Sequence, residues 1–200
     1  DISYKNFIKK DSFNKNIVKK YLDILKKITL NLDTTKDAFH SLSNKFKLNF
    51  KYKDLNKFKK FNTVVIIGMG GSILGSEAIY FFLKKKIKKN FIFFNNIDEY
   101  KLEKLKKKKK LDKILFIIIS KSGDTIETLS NIGALKIIKN KGKNIIIISE
   151  RNNNFLYLLS KKMKYFHIEH KNYIGGRYSV LSETGMVPAY LMGVNILKLR

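Results

Sequence analysis

The 200-residue chain has no cysteine, a single proline and only three arginines. The missing thiols exclude disulfides, thiolate-held zinc and a cysteine nucleophile together, and they fit a reducing compartment. Apolar runs are also short: the segments 114–119 and 145–148 fall far below the roughly 18 residues that a membrane-crossing helix needs. Residues 1–10 lack the apolar centre of an export signal, so a cytoplasmic protein is the expectation. The absence of Met at position 1 hints at a trimmed chain.

What is abundant is lysine. The formal charge is +26, yet among 42 basic residues only Arg151, Arg177 and Arg200 are arginine, the residue on which base readout and bidentate phosphate recognition lean. Lysine, isoleucine and asparagine all have A/T-rich codons, so a base-composition bias accounts for the pattern without a ligand. No specific nucleic-acid partner and no membrane are expected. The lysine run 106–110 reads as a solvated helix end or loop that would cling to polyanions at low salt. With 44% hydrophobic and 29% charged residues the chain is globular in composition. Its length suits one domain with an appendage, or a piece of something larger.

The first 60 residues read as amphipathic helices that need a partner surface. Ile17, Tyr21, Ile24, Leu25 and Ile28 recur at helical spacing, as do Phe39, Leu42 and Phe46 after a start signal at Asp33 and Thr34. From Thr63 the pattern changes to continuous apolar, largely β-branched runs near 64–67, 91–94, 114–119, 145–148 and 165–168. Helix-like stretches separate them, at about 73–85, 98–109, 125–140 and 153–162. Strands buried on both faces and alternating with helices predict a three-layer αβα sandwich around a five-stranded parallel sheet. Pro188 lies outside all five runs.

Ligands in such sheets bind beyond the carboxyl ends of the strands. After the first run comes Gly68-Met69-Gly70-Gly71-Ser72-Ile73-Leu74-Gly75-Ser76, where glycines would let backbone amides approach an anion at a helix start. The dinucleotide fingerprint is not met, because Ile73 stands where the third glycine belongs; a phosphate site and a structural turn are both open. After the third run, Ser120-Lys121-Ser122-Gly123-Asp124-Thr125-Ile126-Glu127-Thr128 packs hydroxyls and a lysine around another helix start. Asp124 with Glu127 has the form of a capping box, which leaves Ser120, Ser122 and Thr128 unexplained. A strand order 2-1-3-4-5 would bring both loops to one switch point. A third segment, Gly175-Gly176-Arg177-Tyr178-Ser179-Val180-Leu181-Ser182, precedes a helix containing Met186, Leu191 and Ile196. Arg177 there is either a fixed cation for a substrate oxyanion or a surface arginine capping a turn. His167 and His170 would face opposite sides of a strand end, which argues against a metal site, and His40 reads as boundary packing.

In this order and spacing the three segments closely resemble the glucose-6-phosphate isomerase family, over about residues 60–200. The resemblance implies a sugar-isomerase (SIS) domain of flavodoxin-like strand order, residues 61–200, behind a helical extension, residues 1–60. It implies an aldose-ketose isomerase that interconverts glucose 6-phosphate and fructose 6-phosphate through a cis-enediol, without metal or organic cofactor, as a homodimer. By the same resemblance Ser120, Lys121, Ser122, Thr125 and Thr128 hold the sugar phosphate. Gly71 and Ser72 line the sugar site, and Arg177 stabilises the enediolate. Ser122 stands where threonine is more frequent, and Asp124 replaces a neutral neighbour; as a carboxylate near a dianion it is expected to face solvent as the cap of its helix. The family's catalytic glutamate, histidine and lysine belong downstream of the arginine motif, and neither Glu127 nor Glu183 takes the base position. This chain would then supply the phosphate half of a site and have little turnover alone. The alternatives are a stand-alone SIS module that senses a phosphosugar, and a basic nucleic-acid binder acting through the run 106–110.

Overall fold

The computed structural model describes residues 15–34, 36–108, 110–138 and 142–200. The expectation for residues 1–10, Lys109 of the lysine run, and the end of the helix expected at 125–140 lie outside them. The sheet comprises β1 (Thr63–Gly68), β2 (Asn90–Phe94), β3 (Ile114–Ile119), β4 (Ile145–Ser149) and β5 (Phe166–Glu169), all parallel, in the order β2-β1-β3-β4-β5. This is the three-layer α/β architecture and strand order that the sequence predicts. All six side chains of central β3 are buried, whereas the edge strands β2 and β5 are only partly covered.

Alternation along each strand sends neighbouring side chains to opposite faces. On one face Val64, Ile66, Leu115, Ile117 and Ile146 pack with Tyr80 of α3 (Leu74–Leu83) and Val187 and Leu191 of α7 (Glu183–Met192). On the other, Val65, Ile67, Phe116, Ile118 and Ile147 meet α4 (Glu99–Lys108) through Leu102 and Leu105. That same face meets α5 (Ile126–Leu135) through Ile132 and Leu135, and α6 (Phe155–Met163) through Leu156. Continuous apolar strands are needed because both faces are covered.

The first 60 residues differ in part from the sequence reading. Helix α1 (Lys15–Asn31) forms and carries the expected apolar stripe, but no residue on it is buried, and Tyr21 is 59% exposed. Phe39 and Leu42 do not lie on a helix starting at Asp33 and Thr34. They lie on a 3-10 turn, Ala38–Leu42, capped by the Asp37 side chain, while Asp33 accepts a hydrogen bond from Ser43 Oγ. Beyond it Phe46 is buried, and α2 (Tyr52–Leu55) with the following turn sends Leu55 and Phe58 into the core of the sheet.

One helix ends short of expectation: α5 stops at Leu135 because Lys136 turns left-handed, at φ 50°, while α6 ends at Met163, close to the expected 162, before a left-handed Lys164 at φ 55°. Such caps favour glycine, so lysine gives no signal in the sequence. Helix α7 likewise ends at Gly193, with φ 86°, so Ile196 belongs to a separate turn of helix, α8 (Ile196–Leu199). Pro188 sits inside α7. Among the described residues no helix is long and apolar enough to cross a membrane.

Candidate functional site

Strands β1 and β3 are neighbours, with Gly68 opposite Ile119, so the loops leaving them start side by side at the switch point. The β3 loop folds on Ser120. Its Oγ lies 2.8 Å from Thr125 Oγ1 and 3.4 Å from Ser122 Oγ, and it accepts the Gly123 amide at 3.1 Å. Three hydroxyls thus cluster at the head of a ten-residue helix, where free amides and the helix dipole favour a dianion. Ser120 is buried and Ser122 is exposed, so the cluster opens from the protein interior to solvent. Lys121 turns sideways, donating to the Asn172 carbonyl and standing 3.7 Å from Glu150.

Thr128 is not joined to this cluster. It is fully buried on α5, and its Oγ1 has no hydrogen-bond partner among the described residues. The capping box is overturned. Thr125 occupies the cap position of α5 without a side-chain cap, and exposed Asp124 instead accepts from the Phe155 amide at 2.8 Å, the first residue of α6. The carboxylate is exposed, as expected, but it caps the next helix rather than its own.

The β1 loop makes a 3-10 turn, Gly70–Ser72, before α3. A side chain at Gly71 would overlap the Gly176 carbonyl and come within 2.8 Å of the Arg177 amide, so the two backbones touch there. Ser179 fastens the contact, its Oγ donating to the Gly71 carbonyl at 3.0 Å and lying 2.7 Å from the Gly176 carbonyl. Buried Ser182 and Thr184 in turn donate to the Ser179 carbonyl. Arg177, carried on the 3-10 turn Gly176–Tyr178, is exposed and makes no hydrogen bond or ion pair with another described residue. Its guanidinium is free for an anion.

Three features of the site escaped sequence reasoning. Asn154 is buried against Gly123, which has φ 77°; its Nδ2 donates to the Glu150 carbonyl while its Oδ1 caps α6. A run of three asparagines gives no hint which one does this. Glu183, also buried, accepts the Asn49 amide at 2.9 Å and lies 3.6 Å from Lys171 Nζ. The N-terminal segment reaches the arginine loop too, through Phe39 beside Tyr178 and His40 Nδ1 at 3.0 Å from Tyr173 Oη. A cavity of about 550 Å³ lies between that segment and the ends of β4 and β5, bordered by Glu150 and Asn172, the partners of Lys121. His167, the second residue of β5, bonds Ser149 at 3.0 Å. Burial, then the Arg151 charge, push its pKa down to about 4, against the Ser149 bond. His170 is lowered as well, chiefly by burial.

A parallel α/β sandwich with a hydroxyl-lined loop and a free arginine at its switch point belongs to the class of open-sheet folds that bind ligands beyond the carboxyl ends of their strands. Comparison with known proteins agrees: the chain belongs to the family described as Phosphoglucose isomerase, which matches residues 14–199. It is 34% identical to a probable glucose-6-phosphate isomerase of Methanococcus maripaludis over 96% of this chain and 44% of the relative. To the glucose-6-phosphate isomerase of Methanocaldococcus jannaschii it is 38% identical over 74% of this chain and 37% of the relative. Among solved structures, a glucose-6-phosphate isomerase from Chlamydia trachomatis superposes with TM-score 0.58 at 28% identity, covering 68% of this chain and 27% of the other. A protein from Escherichia coli shares the fold, with TM-score 0.57 at 18% identity over 90% of this chain and 93% of the other. The chain spans less than half the length of these two curated archaeal relatives.

Proposed function

We propose that this chain supplies the phosphate-binding half of an aldose-ketose isomerase site that interconverts glucose 6-phosphate and fructose 6-phosphate. The observation that carries the reading is the cluster of Ser120, Ser122 and Thr125 hydroxyls at the head of α5. It lies at the same end of the sheet as the unpaired Arg177 and belongs to a chain of the Phosphoglucose isomerase family.

A sugar phosphate docks with its dianion on those hydroxyls and on the amides at the start of α5, with Lys121 adding charge when it leaves Asn172 and Glu150. Thr128 lies one helical turn further along α5, fully buried and apart from the three clustered hydroxyls, so it takes no direct part in this contact set. The sugar lies toward Gly71 and Ser72. In the reaction a base removes the proton at C2 of the open-chain aldose to give a cis-enediolate, the hydroxyl proton of O2 passes to O1, and the abstracted proton returns to C1 as O2 becomes the ketose carbonyl. Arg177 offsets the negative charge that grows on the enediolate oxygens, where a preorganised cation acts most strongly. The base lies outside the matched motifs, so catalysis needs groups beyond those in this chain. The whole protein is read as a cytoplasmic homodimer of glycolysis and gluconeogenesis that uses no metal or organic cofactor.

The test is a coupled assay of isomerisation in both directions by the full natural protein. Removing hydroxyls in Ser120→Ala/Thr125→Val is expected to raise KM for fructose 6-phosphate, and the 200-residue chain alone is expected to bind the sugar phosphate weakly with negligible turnover. Unchanged KM in the double variant, or ready turnover by the chain alone, refutes the assignment.

A further inference from the structure

The lysines are not spread evenly over this fold. Because all five strands are parallel, their amino ends share one edge of the sheet, opposite the candidate site. The segments entering the strands there, 57–62, 84–90, 110–113, 142–144 and 164–165, hold twelve lysines against one acidic residue, Asp112. The loops leaving the carboxyl ends, 69–73, 95–98, 120–125, 150–154 and 170–182, hold four basic residues against three acidic ones. A compositional bias supplies lysine but does not sort it by the pole of a sheet.

The amino edge is also shaped. One cavity of about 420 Å³ is lined by Lys57, Lys60, Lys143 and Lys164 with Phe58 and Phe166, and among the described residues no carboxylate borders it. A second, of about 330 Å³, is lined by Lys59, Lys86, Lys88 and Lys89 beside Tyr190, again with no carboxylate among the described residues. The ridge between them holds its ammonium groups over aromatic rings, Lys57 Nζ 4.5 Å from the Phe166 centroid and Lys59 Nζ 4.2 Å from that of Tyr190. Burial and then the Lys59 charge lower the Lys89 pKa from its ordinary value, so like charges are already crowded there. An anion in the second cavity relieves that crowding. In the last turn of α3, ahead of the lysines of the β2 entry, Phe81 and Phe82 are 57% and 87% exposed.

We infer that this edge binds the phosphate backbone of single-stranded nucleic acid without sequence preference. Concave, carboxylate-free lysine pockets suit discrete phosphates, and the exposed rings of Phe81 and Phe82, close in the chain to the lysines of the β2 entry, suit unstacked bases. No arginine lies in the five entry segments, so base edges are not read. A lipid surface is the weaker fit, because a flat bilayer does not fill two separated cavities.

The test measures binding of a 20-nucleotide oligodeoxythymidine to the full natural protein by fluorescence anisotropy across a salt series. Three variants are compared with wild type: Lys57→Gln/Lys60→Gln/Lys143→Gln/Lys164→Gln at the edge, the double Lys143→Gln/Lys164→Gln, and Lys19→Gln/Lys20→Gln/Lys26→Gln/Lys27→Gln on α1, all at exposed positions. The edge quadruple is expected to bind at least about tenfold more weakly, with the log-log salt slope smaller by about 3, and the double with about half that change in slope. The α1 variant stays within about twofold of wild type, and excess fructose 6-phosphate does not displace the oligonucleotide, since the two sites lie at opposite ends of the sheet. Equal losses from the edge and α1 sets would reduce the binding to net charge and overturn the inference. So would displacement by the sugar phosphate, or binding confined to phosphatidylglycerol vesicles.

Discussion

The two ends of one sheet carry opposite designs. At the carboxyl end charge is scarce and mostly paired: Lys121 stands near Glu150, Arg151 3.9 Å from Glu169 and Lys171 against Glu183, while Arg177 has no partner among the described residues. At the amino end lysines line two cavities with no described carboxylate beside them. A compact dianion needs a few donors of fixed geometry, whereas a polyanion needs many charges of one sign. The net charge of the chain describes only the second end.

The sharpest attack on this contrast is at Arg177. Arg177→Gln is expected to lower kcat by about 10²–10³ while leaving the melting temperature unchanged, because the side chain is exposed and holds nothing in place. Comparable activity, or a large fall in melting temperature, would remove it from the site. Next comes the buried pair behind it. Glu183→Ala strands the Asn49 amide and removes the carboxylate beside Lys171, which retains its bond to Asn49 Oδ1, and should cost about 3 kcal/mol in a denaturant titration. A loss under about 1 kcal/mol would show the carboxylate to be incidental.

Smaller in effect, Ser120→Ala/Thr125→Val should weaken fructose 6-phosphate about 10-fold or more, since each hydroxyl lost is a hydrogen bond to a charged group. Calorimetric titration reads this directly. The histidines then separate stability from binding. His167 has its folded pKa lowered from 6.5 to about 4, so the unfolded chain binds the extra proton first. Stability from this group is full above pH 6.5 and drains as pH falls toward about 4. In His167→Gln that part of the fall in melting temperature should flatten; an unaltered profile would assign it elsewhere. The smallest expected effect completes the comparison: neutralising Lys57, Lys60, Lys143 and Lys164 should leave isomerase kcat/KM unchanged, and a several-fold loss would mean that the two ends are coupled.

The parts legible in the sequence are those set by local pattern. β3 is six apolar residues in a row because two layers of helices cover it, and the hydroxyl loop shows because Ser120, Ser122 and Thr125 lie within six residues. What stayed hidden depends on partners distant in the chain. Asp124 looks like a cap for its own helix, yet its amide partner is Phe155, 31 residues away. Glu183 looks like a first-turn acid, and its burial follows from Asn49, 134 residues back. The left-handed Lys136 and Lys164 carry no mark of their conformation. The lysine edge is a different case: each strand entry is lysine-bearing in the sequence itself, but the pattern has meaning only once all strands are known to run the same way.

The meeting of the Gly71 and Gly176 backbones has a consequence for how this chain can evolve. The two positions look equivalent as motif glycines, but the constraint is one-sided. A methyl group at 71 collides with main chain that has no room to yield, whereas one at 176 would come no nearer than 3.7 Å to the atoms around it, an ordinary packing distance. Saturation mutagenesis should therefore return a strict requirement at 71 and tolerance of alanine at 176. Sequence variation, where it enters this joint, is expected from the arginine side and not from the β1 side.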